Sequence, residues 1–447
     1  MAEVLPFRGI RFNPRHVPDL NDVMTPPYDV IGPEMQEQLY RRSPYNIVRL
    51  DYGKILPGDD EVENRYTRAG RLLHQWLAIG VLTQERECSI YYTEQDYAGE
   101  FREPTTRKGF LAAVRLEDPE SGLYLPHERT LAGPKADRLR LMQACRANLS
   151  PIFGLYDDPT FRVLRDVEIV PLTSGPLLTV RMEDGSVTRL WRISDPGLMR
   201  AVSAGLSANS FVIADGHHRY ETALTYRDLR RAESPGFTGR EPWNYVLMYL
   251  TNLSAPGLTV FPTHRAVFGL EGFRLGEFLE RAGRYFQVEE HSGPLDGLMG
   301  RMKELRGRAH ALGLVAPGDD RLRLLVLRDE AVMKELLEGR MASVLRTLDV
   351  TVLHSLVLEH LLGVDQRAQE EQRNLSYIKG HDELVRVVRE EPGIQLGFLL
   401  NPTRVEEVKA VAQAGERMPQ KSTFFFPKQV TGLVINPLFD ETEICRL

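Results

Sequence analysis

The stretch Phe211 to Arg231, FVIADGHHRYETALTYRDLRR, limits the fold more than any other, because its pattern changes period within a few residues. Phe211-Val212-Ile213-Ala214 is an apolar run of strand length, and Asp215-Gly216 punctuates it. Beyond the punctuation Tyr220, Ala223, Leu224 and Leu229 recur at helical spacing, which predicts a strand, a sharp turn and a helix. His217, His218 and Arg219 then fall in the first helical turn. There the unpaired backbone N–H groups and the positive end of the macrodipole favour a phosphate or carboxylate, and two imidazoles and a guanidinium add to that preference. The plainer reading makes Asp215 an N-cap, Gly216 a flexible hinge and the histidines surface polar groups.

Other polar clusters sit at predicted turns. Thr25-Pro26-Pro27-Tyr28-Asp29 is a stiff elbow that either presents Asp29 to a ligand or caps the next segment with it. His127 and Glu128 precede a Gly133-Pro134 turn and a helix that starts with Lys135, so Lys135 suits phosphate contact and Glu128 suits proton or metal handling. PTHRAV places His264 and Arg265 at a turn. Lys421-Ser422-Thr423 echoes the end of a P-loop but lacks its leading glycines and precedes an aromatic strand.

Between these clusters the chain alternates helices and strands. Leu5 to Phe12 and Asn46 to Asp51 read as strands, and Glu61 to Ile79 as a helix ended by Gly80. Further strands are expected at Gly109 to Leu116, Pro151 to Tyr156, Arg189 to Ile193, Asn244 to Thr251 and Gln395 to Leu400. The tail from Leu348 begins with an apolar helix.

Length and composition narrow the function classes. The 447 residues can form two or three domains. A charge of −6 gives no dedicated polyanion-binding surface, which argues against nucleic acid as a partner. No apolar run approaches the roughly 18 residues of a membrane span. Cys88, Cys145 and Cys445 are too scattered to suggest a disulfide framework or zinc ribbon, so the expected location is the cytoplasm.

DGHHR after an apolar strand and before Tyr-Glu-Thr-Ala resembles the nucleotide-binding motif of the ParB/sulfiredoxin-like superfamily, in particular its free-serine kinases. The whole chain resembles the domain-of-unknown-function 1015 family. That likeness is carried by PFRGIRFNP (6–14), TPPYDVI (25–31), NIVRL (46–50), PHERTLAGPKADRL (126–139), NLSPIFGLY (148–156), PTHR (262–265) and MPQKSTFFFPK (418–428). The resemblance implies an α+β fold with a ParB/sulfiredoxin-like nucleotide-binding core, a large insertion and a C-terminal α/β region. The implied segments are 1–85 and 206–268 for the core, 86–205 for the insertion, 269–345 for a companion domain and 346–447 for a region packing on the core.

It also implies a phosphotransferase that moves phosphate from ADP or ATP, with Mg²⁺, to a small hydroxyl-bearing metabolite such as free serine. Asp215 would orient the motif or bind the metal. His217, His218 and Arg219, with Gly216, Lys135, His264, Arg265 and Lys421, would hold phosphate. Asp29 or Glu128 would take the hydroxyl proton. Two other classes stay open: a nucleotide-binding or nucleotide-hydrolysing switch of ParB-like type, and a metal-dependent hydrolase using Asp215, His217, His218, His127 or His264.

Overall fold

The structure is a computed structural model that describes residues 2–98, 103–126, 132–419, 421–440 and 444–447. It is a mixed assembly of helices and strands that divides into two compact units. The first gathers residues 1–126, 130–259 and 427–447, and the second is formed mainly by 260–426. The tail beyond Leu348 is therefore divided between them at Pro427.

The first unit is built on a nine-stranded mixed sheet among the described residues. Its order runs Tyr124–Pro126, Phe211–Asp215, Ile152–Tyr156, Tyr245–Asn252, Pro104–Arg115, Ile90–Ala98, Val187–Ile193 and Leu178–Arg181, and Val4–Leu5 pairs beside Pro104–Arg115. Phe211–Asp215 lies parallel to Tyr124–Pro126 and antiparallel to Ile152–Tyr156. Phe211, Ile213, Ile152, Met248 and Phe110 join one buried apolar cluster on this sheet. The helices Arg65–Ala78, Ala132–Cys145 and His217–Glu233 pack in that sequence beside it.

The second unit has a six-stranded antiparallel sheet ordered Phe286–His291, Leu322–Leu327, Ala311–Val315, Ile394–Leu400, Thr263–Phe268 and Leu375–Lys379. Strand alternation sends Val267, Leu312, Leu325 and Phe398 into one core. Ala266, Ala311, Leu324 and Leu399 enter a second core on the opposite face. The first core is closed by Leu275–Ala282 and by Val352–Leu361, which is a π-helix. The second is closed by Leu295–Leu305 and His381–Glu390.

Several sequence expectations change. Leu5 to Phe12 is not one strand, because Val4–Leu5 and Ile10–Phe12 join different partners. Asn46 to Asp51 is not a strand either. The Asn46 side chain accepts from the Val48 N–H and donates to the Asp22 carbonyl, which starts the short helix Val48–Asp51 and outweighs the β-branched run. His264 and Arg265 lie in the strand Thr263–Phe268 rather than at a turn, their ladder set by neighbours on both sides. The predicted helix Glu61 to Ile79 starts later, at Arg65, where Asn64 and Thr67 form a reciprocal cap. Cys88 and Cys445, 357 residues apart, form a disulfide that spacing did not suggest, while Cys145 is free and buried.

Candidate functional site

The site begins where the strand Phe211–Asp215 hands over to the helix His217–Glu233. Gly216 turns the chain with φ +91°, a left-handed conformation that a side chain disfavours, and a Cβ there would lie 2.9 Å from the Arg219 Nε. Gly216 is the N-cap and has no side chain with which to cap this helix, whose first turn carries no acid. Asp215 is thus not the N-cap that the plainer reading made it. Its Oδ2 accepts from Arg219 Nη2 at 2.6 Å, and its Oδ1 pairs with Lys428 Nζ. Burial pushes this carboxyl up, but the Lys428 and Arg219 charges outweigh it and hold the group well below the usual carboxylate range.

Arg219 is buried and also donates to the Pro151 carbonyl, so it ties the turn to the neighbouring strand. His217 is buried and His218 half-buried in the same first turn. A second buried cation lies near: Arg107 donates to Gln95 Oε1 and to the Pro427 carbonyl, each at 2.6 Å. Its guanidinium sits 4.7 Å from the Phe153 ring centre, and Phe153 pairs across the sheet with Asp215. Pro427 and Lys428 are thereby fixed against the sheet.

The elbow and the Lys135 helix contribute a third group. Arg138 reaches the Asp51 carbonyl at 2.7 Å and its Oδ1 at 3.2 Å, bonds Asp137 Oδ2 at 2.7 Å, and covers the Tyr28 ring at 4.0 Å. Burial pushes the Tyr28 hydroxyl up to about 12, against the pull of Arg138 and Arg219. Asp51 is 3% exposed, and its Oδ2 has no hydrogen-bond partner among the described residues. Burial raises its carboxyl, Arg138 and Arg219 oppose that, and the Asp29 charge adds to the rise. Asp29 is exposed at the elbow and within electrostatic reach of this group. Lys135 bonds Glu221 at 2.9 Å, one turn into the DGHHR helix.

The first unit therefore brings Asp29, Lys135, Asp215, Gly216, His217, His218 and Arg219 into one neighbourhood. Glu128 and His127 lie outside the described residues. His264, Arg265 and Lys421 belong to the second unit. His264 is fully buried, and burial lowers its imidazole to about 3, so it is neutral. Arg265 is fully buried and donates to the Thr263 and Lys421 carbonyls and to His354 Nε2, the last at 3.1 Å. These placements suit a packed core rather than phosphate contact, while the Lys421 side chain is exposed.

Sequence reasoning passed over Lys428, Arg138 and Asp51, and weighed Arg107 only as one cation of the charged loop GEFREPTTRK, where a solvated hairpin is the plainer reading. Lys428 closes the quoted segment MPQKSTFFFPK, and Arg138 lies in PHERTLAGPKADRL, so both stood in marked segments without a sign of which residue mattered.

A metal at Asp215 does not fit the described arrangement, since both carboxylate oxygens are engaged by cations. Nor do any three His, Cys, Asp or Glu side chains among the described residues converge as a metal-binding set. No helix of the described residues is long and apolar enough to cross a membrane.

The family model described as "Protein of unknown function (DUF1015)" matches residues 4–351. No curated protein matches the sequence. A solved structure of a conserved hypothetical protein from Pyrococcus furiosus is similar at 14% identity and TM-score 0.34, over 71% of this chain and 94% of that one. A free serine kinase in complex with AMP gives 15% and 0.34, over 70% and 88%. SbnI with a C-terminal truncation, from Staphylococcus aureus, gives 13% and 0.34, over 73% and 87%. None of these likenesses decides an activity.

Proposed function

The chain belongs to the DUF1015 family, and we propose that this member is a nucleotide-dependent phosphotransferase acting on a small hydroxyl-bearing metabolite, with free serine the first acceptor to try. The observation that carries the reading is the helix N-terminus at His217: its N-cap is Gly216, a left-handed residue with no side chain to cap it, and the Asp215 pairs with Arg219 and Lys428 hold the turn in place. Such a terminus binds phosphate through N–H groups and dipole. Phosphoryl transfer asks chiefly for positioning and charge stabilisation. The fold that goes with this reading is a ParB/sulfiredoxin-like nucleotide core within the first unit.

In the proposed reaction His217, His218 and Lys135 take up the charge of the terminal phosphate of ADP or ATP. The acceptor hydroxyl oxygen forms the new bond to phosphorus, the bond to the bridging oxygen breaks, and the nucleotide leaves with that oxygen. The hydroxyl proton passes to a carboxylate, for which Asp29 and Glu128 are the candidates. Asp215 and Arg219 act as positioning residues, because each already holds the other. No step is assigned to Mg²⁺, since Asp215 as placed is not a fitting ligand. A cytoplasmic location, expected from scattered cysteines, sits against the Cys88–Cys445 bond and is not part of the proposal.

The test is calorimetric titration with ADP, ATP and CTP, with and without Mg²⁺, on the parent and on the His217→Ala, His218→Ala double variant. Binding of ADP or ATP that weakens at least tenfold in the folded double variant, followed by phosphorylation of serine or another hydroxyl metabolite, is expected. A folded parent that binds no nucleotide refutes the proposal.

A further inference from the structure

The second unit holds a cavity of about 700 Å³ with no link to the nucleotide reading. That volume is in the range of small-molecule sites. One wall is the π-helix Val352–Leu361, which contributes His354, Ser355 and Glu359. A π-helix bonds from i to i+5, so it sets His354 and Glu359 on one face, where an α-helix would turn them apart. Such segments are rare and concentrate at functional sites.

The wall is rigid and its protonation is fixed. Gln369 Oε1 accepts from His354 Nδ1 at 2.7 Å, and Gln369 Nε2 donates to the His354 and Val364 carbonyls at 3.1 and 2.8 Å. Arg265 Nε donates to His354 Nε2 at 3.1 Å. The imidazole is therefore neutral with its proton on Nδ1. Beside it Ser355 is buried, and its hydroxyl makes no hydrogen bond within the described residues.

The remaining lining has three characters. Leu337, Met341 and Leu345 give an apolar floor. Arg340 and Arg417 supply positive charge, and Glu359, Glu370 and Glu416 supply negative charge. Arg340 and Glu359 pair at 3.0 Å. The lining thus offers charge of both signs beside an apolar floor, which a zwitterion with an apolar body complements at both of its ends.

We infer that this cavity is a binding site for a small zwitterion with an apolar body, of the class of apolar amino acids and their short peptides. The carboxylate goes to the Arg340 and Arg417 side, the ammonium to Glu359 and Glu370, and the Ser355 hydroxyl bonds the polar backbone between them.

The experiment is calorimetry of the full chain with the dipeptide L-leucyl-L-phenylalanine, with its N-acetyl form, which lacks the ammonium, and with its C-terminal amide, which lacks the carboxylate. The dipeptide is expected to bind, and each blocked form to bind at least tenfold more weakly. Ser355→Trp, which fills the cavity, should abolish binding. Since that variant can disturb folding, the rim variants Glu370→Lys and Arg417→Glu serve beside it, each weakening the dipeptide at least fivefold with an unchanged circular dichroism spectrum. No binding of the dipeptide, equal binding of the blocked forms, or unchanged binding in folded rim variants overturns the inference.

Discussion

The chain contains two His-Arg pairs, His218-Arg219 and His264-Arg265, that look alike as sequence and end in opposite surroundings. Arg219 lies in the first turn of a helix and bonds a carboxylate that also holds Lys428. Arg265 lies in a central strand and is satisfied by carbonyls, an imidazole and the Tyr377 ring at 4.5 Å. His264 beside it is neutral, its Nδ1 accepting from the Leu400 N–H at 3.2 Å. The difference teaches that the punctuation before the pair matters more than the pair itself. Asp215-Gly216 stops a strand and starts a helix, so the residues that follow line a polar end. Thr263 opens a strand of the six-stranded sheet, so its followers enter a core.

Acid should separate the two regions most strongly. Burial lowers His264 to about 3, with His381 and Arg265 adding to it, and lowers His354 to about 3, with Arg265 adding and Gln369 opposing. Below the ordinary value near 6.5 the unfolded chain takes up protons that these folded imidazoles refuse. Stability is therefore complete above that pH and falls toward 3 by about 1.4 kcal/mol per pH unit for each histidine. For His310 burial acts downward, but Asp349 outweighs it, so this one group gives the reverse slope, its contribution present at low pH and lost as pH rises through its raised value. The Asp215 contribution is complete above the ordinary carboxylate value near 3.8 and is lost only at lower pH. Hydrogen exchange at pH 7 and pH 4.5 should thus show the second unit loosening first, and earlier loosening of the first unit would break the contrast.

The next effect is in the first unit. Asp215→Ala leaves Arg219 and Lys428 buried without their carboxylate and should cost about 3–5 kcal/mol in urea unfolding. Adding Lys428→Met should recover part of that loss, because it removes one of the two charges that the Asp215 carboxylate holds. A double variant no better than the sum of the two single changes would mean that Lys428 does not depend on Asp215.

A smaller effect distinguishes the units by covalent chemistry. The Cys88–Cys445 bond lies wholly in the first unit, and the second has no cysteine. Reduction, or Cys88→Ser with Cys445→Ser, should cost the first unit roughly 2–4 kcal/mol. Exchange in the core around Leu312 and Phe398 should not change, and a matching loss there would show that the two units unfold together.

Much of this was legible because strong local signals agreed. The apolar run at Phe211, the Asp-Gly break and the helical spacing beyond it all point to the turn that forms. The partners were not legible. Lys428 reaches Asp215 across 213 positions and Arg107 reaches Pro427 across 320, and no local pattern marks which residue a sheet will bring together. Asn46 to Asp51 misled for a different reason: its apolar residues fit a strand or a buried helix equally, and a single Asn side chain decided between them. The π-helix left no mark either, since its apolar run suits any buried helix.

The finest comparison is between two glycines with left-handed backbones. Gly318 in the second unit has φ +69° and nothing within 4 Å of an added Cβ, so Gly318→Ala meets only the backbone preference, about 1–2 kcal/mol. Gly216 has φ +91°, and an added Cβ would meet the Arg219 guanidinium at 2.9 to 3.1 Å. That guanidinium cannot shift without loosening its bond to Asp215, so Gly216→Ala should cost up to about 1 kcal/mol more than Gly318→Ala. Nucleotide affinity should fall with it in the first case and stay unchanged in the second. If both alanines cost the same in thermal unfolding, Arg219 is free to move, and the turn is held by Lys428 and the strand rather than by the Asp215–Arg219 pair.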